Sequence, residues 1–263
     1  METNLKKASE ILSDFLLLSS FPVAIKFSQE ETLPEKVRRP LEALGHPVAV
    51  CQGVSMARSL GWSLGFLPED HACPPSLVIL GMEEIPPGFD MGEMIHPLYG
   101  ETVGICQRGI EQMPMLPVGQ YRSILLSSLK KATFTPDVIL VYGNPAQVSR
   151  LIHGALYHRG GALTSSFLGR ASCSSKLVSP MLTKECQIIV PGSGERAFAS
   201  TQDFEMCFAI PIGQLDEVLS GLEITHKLGT MRFPTPFQGI REQPGVPDKY
   251  VELARRMGIK GGE

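Results

Sequence analysis

The chain has 263 residues and a formal net charge of −3. Hydrophobic residues make up 43% of it and charged residues 19%, so the chain can bury a substantial core and is not disordered. Acidic and basic residues are well mixed, which argues against a nucleic-acid-binding face but leaves room for a local basic pocket. No apolar run approaches the roughly 20 residues of a membrane span, and no signal peptide is visible. We therefore expect a cytoplasmic protein whose six cysteines are free, metal-bound or catalytic rather than paired in disulfides.

Helices and longer polar segments alternate in the first half of the chain. Hydrophobic spacing and Gly or Pro boundaries predict its elements. In chain order these are a helix to about Ser19, a strand over residues 21–27, short helices over 54–60 and 74–80, a surface segment over 84–100, and a helix over 102–113 containing Cys106.

Strands are more frequent in the second half. We predict strands over residues 121–126, 138–142, 162–168, 187–190, 197–199 and 205–210. Helices are expected after Asn144, after Cys173, and over 215–222 and 248–257, with a hairpin turn at 192–194 and a Pro-rich arm over 233–247. This mixture predicts an α+β (mixed α/β) fold with a mixed sheet, packed helices and some strand–turn–helix units. The chain reads as one domain over 1–263, with two possible lobes at about 1–118 and 119–263.

Three of the six cysteines stand where the chain is predicted to turn into a helix. They are Cys51, Cys73 and Cys173. A helix N-terminus offers unpaired N–H groups and a partial positive charge, which favour a thiolate over a thiol. Thiolates bind metals, attack carbon and exchange disulfides, so these cysteines raise the hypothesis of a shared site.

Several segments together resemble one known family. They are Pro22–Phe27, Cys51-Gln52, Ala72-Cys73-Pro74, Pro136–Gln147, Cys173, Val190–Arg196 and Glu205–Pro211. This set is similar to the ArCR-like family (domain of unknown function number 169) of archaea and anaerobic bacteria, over nearly the whole chain. The resemblance implies a cytosolic protein, often from anaerobes, but brings no settled activity. Cys51, Cys73 and Cys173 fall in family-like motifs, whereas Cys106, Cys186 and Cys207 do not.

The leading hypothesis is a thiolate-metal site that holds a [4Fe-4S] iron–sulfur cluster and acts in anaerobic redox or cofactor metabolism. Cys51, Cys73 and Cys173 would be ligands, with Cys106 or a non-cysteine group as the fourth. The chain contains no Cys-x-x-Cys pair, so scattered cysteines must converge through the fold. Zinc is the second choice of metal, with His71 joining Cys51 and Cys173.

The sequence is also consistent with other functions. One is a metal-free thiol enzyme in which Cys51 or Cys173 is the nucleophile and a histidine such as His71, His153 or His158 is the base. Another is a non-catalytic accessory subunit of a larger enzyme complex, or a homo-oligomer, that docks through residues 84–100 and the Pro-rich arm. An anionic substrate or partner would be bound by side chains and N–H groups at Arg170, Arg196 and Asn144.

Overall fold

The computed structural model describes residues 4–229 and 248–259. The predicted Pro-rich arm over 233–247 lies outside these ranges. The helices described are α1 (Leu5–Leu16), α2 (Pro40–Leu44), α3 (Val50–Leu60), α4 (Pro74–Ile79), α5 (Val103–Glu111), α6 (Pro145–Leu156), α7 (Ser179–Thr183), α8 (Ser193–Phe198), α9 (Leu215–Lys227) and α10 (Asp248–Arg256). The strands are β1 (Val23–Ser28), β2 (Ser63–Phe66), β3 (Ser123–Ser128), β4 (Val138–Gly143), β5 (Gln187–Ile189) and β6 (Met206–Pro211).

These strands form one sheet in the order β2-β3-β1-β4-β6-β5. Every pairing is antiparallel, with Val23 opposite Ser128 on β3 and Leu140 on β4. The predicted α+β class is confirmed, although the sheet is antiparallel throughout rather than mixed. Because β3 lies between β2 and β1, strands from both expected lobes belong to the same sheet.

Both faces of the sheet are buried under helices. Side chains alternate along each strand, so Val138 and Leu140 of β4 face one core while Ile139 and Val141 face the other. Helices α1, α6 and α9 cover the second core. Helices α3, α4 and α5, together with a helical segment over residues 172–183, cover the first core. The candidate site lies on the side of this first core.

Three local predictions differ from the structure. Residues 197–199 were expected to form a strand after a hairpin turn, but residues 192–198 instead form the start and body of α8. A short apolar run does not distinguish a strand from a helical turn, which explains this error. Residues 162–168 form no strand; the Ile188 N–H of β5 bonds to the Ser165 hydroxyl rather than to a backbone ladder. The short strand β2 was not predicted, because its Ser and Gly content gives little β signal.

Candidate functional site

Four segments that each open a helix meet around one cavity of about 280 Å³. They are residues 49–51 at the start of α3, 73–76 at the start of α4, 171–173 at the start of the 172–183 helix, and 192–195 at the start of α8. These segments are far apart in sequence. The fold therefore assembles the cavity from both halves of the chain.

Cys51, Cys73 and Cys173 all line this cavity. Cys51 lies in the first turn of α3, Cys73 is the residue before the first turn of α4, and Cys173 lies in the first turn of its helix. All three are free thiols with partly buried side chains. The sequence-based expectation that each stands at a helix start is confirmed, and the fold places them around one space.

Local sequence explains why the helices begin at these cysteines. Gln52 folds back so that its side-chain oxygen accepts the Ala49 N–H at 2.8 Å, which closes the first turn of α3. Proline at the first positions of α4 needs no hydrogen-bond acceptor there, and the Ser76 hydroxyl donates to the Cys73 carbonyl at 2.8 Å. After Cys173 the helix is π-helical over Ser174–Val178, a wide turn that is often found at functional sites.

Burial keeps the thiols of Cys51 and Cys173 in their protonated form. Burial raises the pKa of the Cys173 thiol to about 12, and the nearby Lys176 ammonium offsets only part of this effect. Burial also raises the pKa of Cys51, again with a partial offset from Lys176. In the absence of a bound cation these two thiols are therefore poor nucleophiles at neutral pH.

A buried charged pair forms the floor beside the cavity. The Lys176 ammonium donates to Glu195 Oε1 at 2.7 Å and to the Tyr142 hydroxyl at 3.1 Å. Tyr142 donates to the same carboxylate oxygen at 2.5 Å, and the Ser172 hydroxyl donates to Oε2 at 2.5 Å. Burial alone would lower the pKa of Lys176 and raise that of Glu195, but their mutual attraction outweighs it and shifts both in the opposite direction. The pair is therefore ionised, and Glu195 reaches the cavity wall with its charge already balanced.

A second buried ion pair, between Arg58 and Glu205, lies beside the Tyr142 ring. Arg58 of α3 donates to both carboxylate oxygens of Glu205, at 2.6 and 2.9 Å, and both side chains are almost completely buried. The Arg58 guanidinium also lies 4.3 Å from the centre of the Tyr142 ring. Sequence reasoning missed this network, because its members come from distant segments and no local pattern distinguishes a buried lysine or arginine from a solvated one.

The rest of the cavity wall is mainly apolar. Its apolar side chains come chiefly from α4, α5, α8 and the 84–100 segment: Ile79, Phe89, Ile95, Tyr99, Ile110, Met113 and Phe198. Arg170 is the exception, with its guanidinium 5.0 Å from the centre of the Tyr99 ring. Within the described ranges no carboxylate lies within ion-pairing distance of Arg170. The wall thus offers one cation to an anionic group.

Three predicted site residues lie elsewhere. Cys106 is fully buried on α5 against Gly92 and Gly100 and does not line the cavity. Arg196 is close to the cavity in sequence, but its guanidinium donates to the carbonyls of Pro191, Gln202 and Glu205 and thereby braces the loop after α8. Asn144 caps α6 by accepting the Gln147 N–H at 3.0 Å. Each of these residues has a structural role where the structure places it.

The histidines considered as ligands or bases also lie outside the cavity lining. His71 packs against the Phe66 ring with a centroid distance of 5.1 Å and is 7% exposed. His158 bonds to Ser220 of α9, and His153 lies on α6, on the other side of the sheet. A thiol–histidine pair is therefore not assembled at this cavity.

The described residues contain no group of three or more His, Cys, Asp or Glu side chains arranged to hold a metal ion. A zinc ion keeps thiolates at Zn–S distances of about 2.3 Å, so its ligands must converge on one point. The three thiols instead stand around a space. As they are placed, they do not fit a single-ion site.

Comparison with known sequences agrees with the motifs. The sequence model of the uncharacterised ArCR family, a domain of unknown function, matches residues 11–221, a range that includes the sheet and all three cavity cysteines. The chain therefore belongs to this family. An uncharacterised protein of Methanocaldococcus jannaschii is 23% identical over 227 residues, which cover 85% of this chain and 96% of the relative. No solved structure matches the chain significantly. No helix within residues 4–229 or 248–259 has the length and apolar character needed to cross a membrane.

Proposed function

We propose that the thiol-lined cavity binds a thiolate-ligated metal centre, an iron–sulfur cluster, and that the protein acts with it in redox or cofactor metabolism in the cytoplasm. One observation carries the proposal: three cysteines from distant parts of the chain line one cavity. Cys51, Cys73 and Cys173 would be the protein ligands. When bound, such a cluster supplies electron transfer, or an iron open to a substrate where only three thiolates hold it.

A cluster suits this arrangement better than a single ion does. Several iron and sulfide atoms form a body whose thiolate ligands stand apart from one another, whereas a zinc ion requires its ligands to meet. The three thiols stand around a space of about 280 Å³, which is the arrangement that a cluster requires.

The protonation of Cys51 and Cys173 favours a metal centre over metal-free thiol catalysis. A nucleophilic cysteine needs a lowered pKa, yet burial raises the pKa of Cys173 to about 12 and also raises that of Cys51. A metal centre displaces the thiol proton directly, so a raised pKa does not prevent binding. The apolar wall, by excluding water, would protect such a centre.

The charges around the cavity suit an anionic guest. The first turns of α3 and of the 172–183 helix line the cavity, so the positive ends of both helix dipoles lie beside it, and the Lys176 ammonium is close enough to act on the thiols of Cys51 and Cys173. A cluster with thiolate ligands carries net negative charge, which these groups would offset. Arg170 would then bind an acidic group of the substrate or partner.

Anaerobic reconstitution tests this function. The full chain would be purified without oxygen, incubated with ferrous iron and sulfide, desalted, and analysed for iron, acid-labile sulfide, visible absorbance and electron paramagnetic resonance. We expect stoichiometric iron and sulfide in the wild type and their loss in Cys51→Ala, Cys73→Ala and Cys173→Ala.

The matched control is Cys186→Ala, which removes a buried thiol from the opposite core. This variant should bind as much iron and sulfide as the wild type. Folded wild-type protein that retains neither element after reconstitution would refute the proposal, as would equal losses in Cys186→Ala.

A second candidate function is that of an accessory subunit, and the surface at the cavity mouth favours it. The 84–100 segment exposes Met94, Leu98 and Tyr99 to 56%, 79% and 53%, and Tyr99 also lines the cavity. A partner that docks here would cover the cavity opening. Chemical crosslinking in native extract should yield a defined complex that Leu98→Ser abolishes and Leu17→Ser, an equally apolar exposed position on the opposite face, leaves intact.

A further inference from the structure

A second cavity, of about 570 Å³, lies at the opposite end of α3 from the thiols. We call it the basic groove, and define it by Lys36, Arg38, Trp62, Ser63, Lys131 and Thr133. Helix α3 ends at Leu60, and its capping residue Gly61 also lines the groove. The two cavities are therefore separated by the length of this helix.

All the charged side chains that line the basic groove are positively charged. Its lining contains three cations, Lys36, Arg38 and Lys131, and no acidic residue. Within the part of the chain that the structure describes, none of the three lies within ion-pairing distance of a carboxylate. In a chain with a net charge of −3, such a cluster of unpaired cations attracts an anion.

The backbone holds the groove in shape. Arg38 donates its N–H to the Ser63 carbonyl and accepts the Gly65 N–H, each at 3.0 Å, so it is fixed alongside β2. The Lys131 ammonium donates to the Gly61 carbonyl at 3.0 Å, which positions it at the end of α3 and leaves two of its N–H groups for a ligand. The Lys131 ammonium and the backbone that carries Arg38 are thus placed before any ligand binds.

Trp62 supplies a flat aromatic wall. It is the only tryptophan in the chain, it is half-buried, and the Arg38 guanidinium lies 5.6 Å from its ring centre. An indole beside a cation cluster is a stacking surface for a planar ring whose attached group is anionic. The hydroxyls of Ser63 and Thr133 add hydrogen-bonding groups to the same lining.

We propose that the basic groove binds a mononucleotide. Its phosphate would be held by Arg38, Lys36 and Lys131, since guanidinium and ammonium groups are the preferred protein partners of phosphate. Its base would stack against Trp62. The volume lies within the range of small-molecule sites and holds one nucleotide rather than a track along a strand. The site is independent of the thiol cavity and of any metal there.

The single tryptophan allows a direct test. Trp62 fluorescence of the full-length protein would be followed during titration with AMP, with adenosine and with pyrophosphate. We expect saturable quenching by AMP, binding of adenosine that is weaker by about a hundredfold or more because the charged hydrogen bonds to all three cations are missing, and competition by pyrophosphate.

Variants locate the binding. Lys36→Gln and Arg38→Gln should each weaken AMP binding about tenfold, the effect of losing a hydrogen bond to a charged group. The matched control is Lys130→Gln, which removes the same charge one residue from Lys131 but outside the groove lining, and it should bind AMP as the wild type does. Lys36 is exposed, so its replacement tests the site without a risk to folding.

Three results would overturn the proposal. They are the absence of a fluorescence change with AMP up to millimolar concentrations, an equal loss of affinity in Lys130→Gln, and equal affinities for AMP and adenosine. A single-stranded oligonucleotide that binds more tightly than AMP at equal salt would replace the mononucleotide with nucleic acid as the ligand. Loss of iron binding in the cysteine variants would leave AMP binding unchanged, so the two proposals fail separately.

Discussion

At the scale of single residues, the buried pair of Lys176 and Glu195 is the most consequential contact near the candidate site. Their side chains are 0% and 2% exposed, and they are joined at 2.7 Å. Removal of one partner from a buried pair leaves an uncompensated charge, which costs far more than the pair contributes as a whole. The effect of a substitution at either of these two positions therefore depends on the residue at the other.

This coupling gives a stability prediction. Lys176→Met should lower the free energy of unfolding by about 3–5 kcal/mol, because Glu195 remains buried without its cation. The double variant Lys176→Met/Glu195→Gln should recover part of that loss. Urea denaturation at neutral pH, monitored by circular dichroism, measures both.

The exposed pair of Arg159 and Glu185 is the comparison for that experiment. Its charged atoms lie even closer together, at 2.5 Å, but the side chains are 29% and 50% exposed. Arg159→Met should cost no more than about 1 kcal/mol, since solvent screens surface pairs. Equal costs at the two sites would show that burial does not control the energetics here.

The buried imidazole of His71 makes the free energy of unfolding decrease as the pH falls. Neither ring nitrogen has a hydrogen-bond partner among the described residues, and burial lowers the pKa of His71 to about 4, with Asp70 opposing the shift. The unfolded chain therefore binds the proton more readily than the folded protein does. The resulting loss of stability begins as pH falls below 6.5, the ordinary value, and reaches about 3 kcal/mol near the folded pKa and below.

His71→Leu should remove this contribution. The free energy of unfolding of the variant should decline less between pH 6.5 and pH 4 than that of the wild type. The exposed His46 provides the control, because His46→Leu should leave the pH profile parallel to that of the wild type. A His71→Leu profile that falls as steeply as the wild-type one would contradict the assignment.

The site residues differ in how far sequence could reveal them. The three cavity cysteines were recognisable because each stands where the residue pattern predicts the start of a helix, most clearly at Cys73, which the Pro74–Pro75 pair follows. Lys176 and Glu195 were not, because each sits among small polar residues and only the fold removes them from water. The local sequence pattern therefore identifies residues at the ends of helices, but it does not identify charged residues that only the fold buries.

At the scale of elements, α6 and α9 make the closest helix contact described near the second core. A methyl group added at Gly221 would overlap the Gly154 carbonyl oxygen, and one at Gly154 would lie 3.0 Å from Leu222. Glycine at both positions lets the two helices cross backbone to backbone. The contact holds both helices against the face of the sheet opposite the thiols.

Gly221→Ala tests this crossing. It should lower the free energy of unfolding by about 1–3 kcal/mol, the usual cost of overpacking, despite the better helix propensity of alanine. Gly104→Ala is the matched helical control, because a Cβ there meets nothing within 4 Å. That variant should be neutral or more stable by up to about 1 kcal/mol, as thermal or urea denaturation would reveal.

Elements with strong boundary signals were predictable, and short ones were not. The β4 run followed by Asn144 and Pro145 predicts strand, cap and helix in order, as the structure has them. The six-residue α8 was mistaken for a hairpin and strand, because Gly-Ser-Gly followed by a short apolar run fits either structure. The sequence also does not predict whether neighbouring strands run parallel or antiparallel, since that depends on which distant strands pair.

At the scale of the whole molecule, the six thiols form two classes. Cys106, Cys186 and Cys207 are 0% exposed, whereas Cys51, Cys73 and Cys173 are partly exposed at the cavity. In metal-free native protein, a thiol reagent should modify only the cavity cysteines, and slowly, because a raised pKa leaves little thiolate at Cys51 and Cys173. The rate should increase as the pH is raised.

Peptide mass spectrometry after timed labelling measures how fast each of the six cysteines is modified. All six cysteines should be labelled once the chain is denatured in guanidinium. Labelling of Cys186 or Cys207 in the native protein at the rate of Cys51 would show that the cores open more readily than their packing implies.

The central position of β1 has a consequence for the order of events during synthesis. Strands β3 and β4, which pair with β1, are synthesised long after it. Strand β2 likewise can pair only once β3 has been synthesised. A ribosome that has released only the first hundred or so residues thus presents β1 and β2 as unpaired hydrophobic strands, which are prone to association. Cys51 and Cys73 are released in that same interval, but Cys173 and α8 emerge much later. Any metal centre in this cavity would therefore be inserted after translation of most of the chain, into a nearly finished fold.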